Sequence, residues 1–354
     1  NCEVALLNVM NGPRTPGLAT LLVAILASGA PNALAFFIVP APQRIGGTPS
    51  CRRDRNVLFA ADDSVIRLTS LIRYPVKSGG AELLTEAIMT PEGVAGDRRF
   101  MVTRHDGSYL TQREIPRLAT LEAGTDEADS NSLLLRSGGS SITVNVQRLS
   151  SLTDASLFGA SLQLVDQGED VGRWLADALG PPPIGVGGGN VISMLQQTLQ
   201  GAPPYRLLHA PRNEESPPLR NGAGLSDQAP YLLISEESLA ALNEKRAGED
   251  LPPVPMSRFR PNFVVSNCGE AHAEDGWSTV TIGDSKFRVI GPCPRCTVPD
   301  VEQASGERDT ASDGPMATLK GYRAKRGRGV LFGVYLMALN PGSIVRVGDQ
   351  VETE

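Results

Sequence analysis

The chain has 354 residues, which is room for two domains of ordinary size. With 41% hydrophobic and 20% charged residues it can bury a core, and a formal charge of −6 argues against a dedicated nucleic-acid binder, whose footprint is a basic face. Five cysteines and three histidines exclude a disulfide-dense scaffold and leave few soft metal ligands; no internal repeat points to a solenoid or propeller.

Residues 1–61 differ in kind from the rest. They carry Arg14, Arg44, Arg52, Arg53 and Arg55 against only Glu3 and Asp54, so the remainder is more acidic than the total charge suggests. Leu18 to Ala27 form an apolar run, followed by small residues at Ala33 and Ala35, the pattern of a secretory signal peptide and its cleavage site. The run is broken by Gly29, Pro31 and Asn32, short of the roughly 20 apolar residues that a transmembrane helix needs. An anchor continuing through Phe36–Val39 is the alternative. The acid-poor stretch led by Phe36 resembles the transit-like part of a two-part plastid presequence and is compatible with a mitochondrion as well. We expect a targeting presequence over 1–61 and two folded domains over 62–185 and 186–354.

From Ser64 the pattern becomes short β-like runs between Gly, Pro and Asp: Val65–Ile72, Phe100–Thr103, Ser141–Val146 and Leu162–Val165. His105-Asp106-Gly107 reads as a hairpin turn leading to Tyr109–Thr111. Val171, Trp174, Leu175 and Ala178 recur with helical spacing over Asp170–Leu179. Gly180 to Gly189 cannot hold regular structure and reads as a linker or loop; its glycines lack the Gly-Lys-Ser/Thr ending of a phosphate loop. Further strands are expected at Tyr205–His209, Tyr231–Ile234, Asn262–Ser266, Thr279–Ile282, Phe287–Ile290, Leu331–Met337 and Ser343–Val347, with a short helix capped by Ser235. Many short strands and few helices indicate an α+β, mostly β fold of barrel type rather than a doubly wound parallel sheet.

The densest chemical signal is Gly291-Pro292-Cys293-Pro294-Arg295-Cys296, where an arginine between two thiols favours thiolate. Three readings stay open. Cys268 and His272 could join Cys293 and Cys296 in a zinc site. The two thiols could form a redox pair, although Pro299 prevents a helix from starting directly after them. Or one thiolate could ligate molybdenum carried by a pterin dithiolene, a cofactor that needs scattered cationic and hydroxyl donors for its phosphate and ring edges. Lys77-Ser78, Arg98-Arg99, and Arg258, Arg260 and Asn262 supply such donors.

Tyr74-Pro-Val-Lys-Ser78, Gly96-Asp-Arg-Arg-Phe100, Thr111–Leu118, Ser226-Asp227 with Pro230, Phe259-Arg-Pro-Asn262, Ala273–Trp277, Arg295-Cys296, Leu319–Arg323 and Leu331–Tyr335 follow one another in an order that resembles a known family. It is that of MOSC proteins with an N-terminal MOSC-associated β-barrel domain, and the likeness is greatest to the mitochondrial amidoxime-reducing component. The resemblance implies a MOSC N-terminal barrel followed by a MOSC barrel, with molybdenum cofactor (Mo-molybdopterin) between them. Cys296 matches the molybdenum-ligating, catalytic cysteine; Lys77, Ser78, Arg98, Arg260, Asn262, Arg295 and Tyr335 match cofactor-holding positions; Cys293 matches a second, non-ligating cysteine. It also implies reduction of N-hydroxylated compounds with electrons from a b-type cytochrome and its NADH-dependent flavin reductase; the chain itself has no dinucleotide-binding fingerprint. Asp300 and Glu302 are candidate proton donors beside the metal loop. Departures at Gly79-Gly80, Pro294 and Pro299–Gln303 touch the rim and put substrate choice in question more than cofactor identity. The alternatives are a molybdenum cofactor carrier, or a sulfur-transfer protein akin to the MOSC part of molybdenum cofactor sulfurases, whose pyridoxal-phosphate domain has no room in 354 residues.

Overall fold

Wholly apolar runs become central strands because both of their faces are covered, and Phe263–Ser266 is the clearest case. In a computed structural model of the chain, the described residues are 65–125, 131–148, 152–182, 201–211 and 224–354. The presequence expected over 1–61 and the glycine-rich stretch beyond residue 182 lie outside them.

Among the described residues the largest sheet has nine strands. Its path runs Val351–Thr353, Thr279–Ile282, Ser285–Pro294, Gly329–Ala338, Tyr231–Ser235, Phe263–Ser266, Arg67–Arg73 and Glu82–Leu84, with Ala324–Lys325 paired to Gly329–Ala338 off that path. The one parallel pair on the path joins Tyr231–Ser235 to Phe263–Ser266, and the helix Glu236–Gly248 lies in the connection between them, as a parallel crossover requires. Ser235 caps that helix as expected, accepting from the Ser238 amide at 3.1 Å, and its hydroxyl donates to the fully buried Glu274 at 2.9 Å. Tyr231, Phe263 and Phe287 form an aromatic centre under the sheet, with ring centroids 5.3–5.5 Å apart.

The first half builds a second body from two smaller sheets. One orders Phe100–Arg104, Tyr205–His209, Ala160–Asp166 and Leu152–Leu157; the other orders Glu122–Thr125, Ser132–Ser137 and Ser140–Asn145. The expected helix is present as Glu169–Leu179, and its buried Val171 and Leu175 join the core of Val76, Phe100, Val102 and Leu118. A third small sheet pairs Ile344–Arg346 with Glu86–Thr90.

Two features were not legible from local patterns. Arg67–Arg73 lies in the sheet of the second half, paired with Phe263–Ser266, so the division at residue 185 describes chain order while strand pairing crosses it. The chain enters through the large sheet, builds the second body, and returns. Ser285–Pro294 runs well past Ile290 through Pro292 and Pro294, with register breaks after Val289 and Pro292. Bulges allow proline in a paired strand, and this one carries Cys293 into the core at 3% exposure.

His209 is buried against Phe100, with ring centroids 4.9 Å apart and its Nδ1 unpartnered among the described residues. Burial, then Arg99 and Arg148, push its pKa down to about 4. The unfolded imidazole takes up its proton near pH 6.5, so stability from the neutral ring is complete above that value and is lost as pH falls toward 4. His209→Leu should flatten the acid limb of a melting-temperature profile between pH 6.5 and 4, where the wild type loses up to about 3 kcal/mol through this group.

Candidate functional site

The site is built where the chain leaves Arg67–Arg73 and turns into the second body. Tyr74 is fixed at that exit: its amide donates to Asp97 Oδ1 at 2.7 Å and its hydroxyl to the Pro261 carbonyl at 3.1 Å. Two guanidiniums lie against its ring, Arg98 at 5.0 Å and Arg260 at 4.2 Å from the centroid. Burial, partly offset by these two cations, pushes the Tyr74 phenol up to about 12. Arg98 pairs with the buried Asp97. Arg260 Nη1 donates to the Gly79 carbonyl at 2.6 Å and to Gln303 Oε1 at 3.0 Å.

Asp227 is the electrostatic hub. Desolvation alone would raise its carboxyl, but Lys77, Arg98 and Arg113 together more than offset this and hold it down at about 2. Lys77, 3% exposed, donates to Asp227 and to the Leu225 carbonyl at 2.9 Å. The charge of Asp227 also reaches Arg98, Arg260 and Tyr335. Arg295 continues the cluster toward the thiols, donating to Cys293 Sγ at 3.2 Å and to the Phe259 carbonyl at 2.7 Å. Burial alone would lower its pKa; Cys293, Tyr335 and Cys296 more than offset this and hold it firmly charged. Burial, then the Cys293 thiol, push the Tyr335 hydroxyl far up.

The structure therefore gathers Lys77, Arg98, Arg260, Arg295 and Tyr335 into one connected cluster, with Cys296, a half-buried free thiol, one residue beyond Arg295. Ser78 adjoins it through its carbonyl, which accepts from Gln112 Nε2 at 2.9 Å. Asn262 is fully buried. Its amide is engaged on both sides, accepting from the Leu232 N–H at 3.2 Å and donating to the Ile72 carbonyl at 3.1 Å, so it joins two strands beneath the cluster. Arg99 pairs with Glu92, and Arg258 with Glu302 and Asp309, so both serve as structural ties. Of the two candidate proton donors, Glu302 is held by Arg258 at 2.8 Å, and Asp300 accepts from the Met316 amide at 3.0 Å at the start of the helix Pro315–Arg323.

The zinc and dithiol readings find little support. Cys268 has its backbone N–H on Glu237 at 3.1 Å, and His272 faces Tyr322 and Phe332. No three Cys, His, Asp or Glu side chains converge as a ligand set among the described residues. After Cys296 there is one 3-10 turn, Val298–Asp300, in place of the helix start a dithiol centre uses.

The cluster suits an anionic group. Its cations are Lys77, Arg98, Arg113, Arg260 and Arg295; its carboxylates are Asp97 and Asp227. Arg260 Nη2 and Arg295 Nε are buried without a hydrogen-bond partner among the described residues. Arg246 and Arg258 also carry one such nitrogen each, but they lie outside this cluster. An unmade bond at a buried charged donor is costly, and a phosphate or other oxyanion satisfies it with a charge-assisted one. Ser78, Arg98 and Arg260 also hold left-handed backbone, with φ of 63°, 46° and 58°. Non-glycine residues there are uncommon and gather at functional sites.

Residue matching passed over Tyr74, Asp227 and Gln303 as site members. Tyr74 and Asp227 sit inside matched stretches, which was the available signal. Gln303 ends the stretch Pro299–Gln303 that departs from the family pattern. It forms a reciprocal amide pair with Gln112, with both bonds 3.0 Å, and so ties Arg260 to the carbonyl of Ser78. A separate cleft of about 240 Å³ opens beside Tyr74, lined by Gly80, Ala81, Thr120, Ser257 and Gln303 among others; none of Lys77, Arg98, Arg260, Arg295 or Cys296 lines it.

Comparison with known proteins gives the family. The sequence model of the MOSC N-terminal beta barrel domain matches residues 65–182, and that of the MOSC domain matches 221–352. The rat mitochondrial amidoxime reducing component 2 is 30% identical over 319 residues, 86% of this chain and 88% of the relative. The chain belongs to the MOSC family. The mouse mitochondrial amidoxime-reducing component 1 is 28% identical, with 86% of this MOSC protein and 87% of the relative covered. A rice molybdenum cofactor sulfurase is 29% identical over 77% of this chain, which spans only about a third (32%) of that relative's length.

The amide pair should be energetically coupled. Gln303→Ala and Gln112→Ala should each cost about 1–3 kcal/mol in denaturant unfolding, because each strands a polar partner. The double variant should lose clearly less than the sum; strict additivity would show that the pair does not act as a unit.

Proposed function

We propose that this MOSC protein is a molybdenum-cofactor-dependent reductase of N-hydroxylated compounds. The observation that carries the reading is the pair of buried guanidinium nitrogens on Arg260 and Arg295 that have no hydrogen-bond partner among the described residues, in a cation-rich cluster one residue from a free thiol. Relatives named as amidoxime-reducing components, covered over most of their length, support the reaction class, and relatives named as cofactor sulfurases support the cofactor.

In this reading the cofactor lies between the two bodies, where the chain crosses from one to the other. Arg98, Arg260 and Lys77 would hold its anionic groups, and Cys296 would be the protein's single sulfur ligand to the metal. When bound, the cofactor supplies two-electron oxygen-atom chemistry of the kind that cleaves an N–O bond. The protein's own groups prepare the place. Tyr74 keeps two guanidiniums parallel in role and separated in space. Asp227 tempers the repulsion among Lys77, Arg98 and Arg113 without neutralising the cluster. Cys293, buried and accepting from Arg295, would be a positioning residue that fixes that guanidinium next to the loop carrying Cys296. Asn262 holds the underlying strands in register.

Electrons would arrive from a b-type cytochrome served by an NADH-dependent flavin reductase, since the chain has no nicotinamide fingerprint of its own. An organelle, and a mitochondrion by the names of the relatives, is the proposed destination.

Purified protein should contain molybdenum near one atom per chain and reduce benzamidoxime with an artificial electron donor. Cys296→Ser should abolish turnover and most of the metal. Cys293→Ser should be mild, because a serine oxygen still accepts from Arg295. Equal loss in both variants would point to a dithiol mechanism instead, and intact cofactor released to an apo-enzyme without turnover would point to a carrier.

A further inference from the structure

The hairpin that opens the strand Gly329–Ala338 is a block of positive charge. Lys320, Arg323, Lys325, Arg326 and Arg328 follow one another closely, and no aspartate or glutamate occurs between Asp313 and Asp349, although the chain as a whole carries a charge of −6. Ala324 and Lys325 pair with Val330 and Gly329, and the Arg328 amide donates to the Lys325 carbonyl at 2.9 Å, so Arg326, Gly327 and Arg328 form the tip. Gly327, with φ of 76°, supplies the left-handed position of that turn. Arg323 faces inward, paired with Asp275 and donating to the Leu331 carbonyl at 2.9 Å. Lys325, Arg326 and Arg328 are exposed, and none has an ion pair or a side-chain hydrogen bond among the described residues. Like charges crowded on one short hairpin repel, so the fold gains nothing from them.

Their position gives them a use. The Arg295 amide donates to the Val330 carbonyl at 2.7 Å, and Pro294 pairs with Leu331. The base of the hairpin therefore adjoins the residue before Cys296, whose thiol is half-buried. The charge of Lys320 reaches Asp300, on the loop that follows Cys296. Reducing an amidoxime to an amidine and water consumes two electrons and two protons, and the chain has no nicotinamide fingerprint from which to draw them. A haem donor yields one electron per visit, so it must dock and leave twice in each turnover. Exposed charge with little apolar area suits that traffic, because it speeds encounter without the burial that slows release.

We propose that Lys325, Arg326 and Arg328 form the docking surface for an acidic face of the protein electron donor, beside the loop that carries Cys296. The inference rests on the reductase reading for the donor's redox role; what it adds is where the donor binds and by what force. An anionic membrane is the rival occupant, but the hairpin has no exposed large apolar side chain with which to enter a bilayer.

The test uses the full-length, cofactor-loaded protein with a soluble b-type cytochrome domain of acidic surface and its flavin reductase. The triple variant Lys325→Glu, Arg326→Glu and Arg328→Glu should melt at the wild-type temperature, because these side chains hold nothing in the fold. Its Kd for the cytochrome by calorimetry, and its KM for the cytochrome in benzamidoxime turnover, should both rise about tenfold. Turnover with a small artificial donor should be unchanged. Wild-type affinity should fall as salt is raised past about 0.15 M, and the variant should lose that dependence. Arg326→Lys with Arg328→Lys should keep the wild-type values, since charge alone is required. Unchanged cytochrome affinity in the charge-reversed variant, an equal loss with the artificial donor, or hairpin-dependent binding to phosphatidylserine vesicles with no binding of the cytochrome would overturn the docking surface. Hairpin-dependent binding of the cytochrome without reduction of benzamidoxime by either donor would leave the surface standing and defeat the reductase reading.

Discussion

Everything at the candidate site depends on keeping several cations close together in a place with little water. Bare like charges at such separations repel, and burial raises the cost of each. The protein answers with two carboxylates and one aromatic ring. Asp97 takes Arg98 and, through its other oxygen, the amide of Tyr74; Asp227 takes Lys77; and the Tyr74 ring offers its face to Arg98 and Arg260. The balance still leaves positive charge over. Arg260 is the sharpest case: burial draws its pKa down to about 10, and among the described residues it hydrogen-bonds to the Gly79 carbonyl and the Gln303 amide and to no carboxylate. An arrangement of this kind is costly when empty and favourable when an anion fills it.

The second constraint is that the cluster is drawn from both ends of the chain. Tyr74, Lys77 and Arg98 come early, Asp227, Arg260 and Arg295 late, so their mutual placement depends on contacts that join distant segments. Three such contacts do this. Arg67–Arg73 pairs with Phe263–Ser266, Asn262 bridges Ile72 and Leu232, and Gln112 meets Gln303. The loop that carries Gln303 is pinned further by Arg308 on the carbonyl of Gln112 at 2.8 Å, and Gly306 sits so close that a Cβ there would lie 2.8 Å from Arg117 Cα. This loop follows Cys296 by only a few residues, so the contacts that pin it also bear on where that thiol lies.

Local sequence patterns carried the strands well, and Tyr205–His209 and Thr279–Ile282 have the bounds that their alternation and turn residues suggested. They carried the helix Pro315–Arg323 poorly. It is nine residues long, contains Gly321, and is held at its start by Asp300 from a different segment. Lys77, Arg98, Arg260 and Arg295 could be read as site residues because a family order of motifs was visible; their charge alone did not distinguish them from Arg99 or Arg258, which are structural ties. Asn262 lay in the same motif and proved to be a splice between strands. The left-handed backbone of Ser78, Arg98 and Arg260 has no glycine to announce it, and only the fold reveals it.

The two cysteines show why composition could not tell the thiols of this loop apart. Both belong to one short motif, and both lie near the same guanidinium. The difference is made by the strand beneath them. Register breaks in Ser285–Pro294 turn Cys293 inward among Phe259, Phe332 and Leu319, where its sulfur already has a donor in Arg295 and a neighbour in Tyr335. Cys296 comes after the strand has ended and stays half-exposed. A ligand must be reachable and must have an uncommitted lone pair, whereas a positioning sulfur is better buried and bonded. The bulged, proline-containing end of one strand is thus enough to give the two thiols different surroundings.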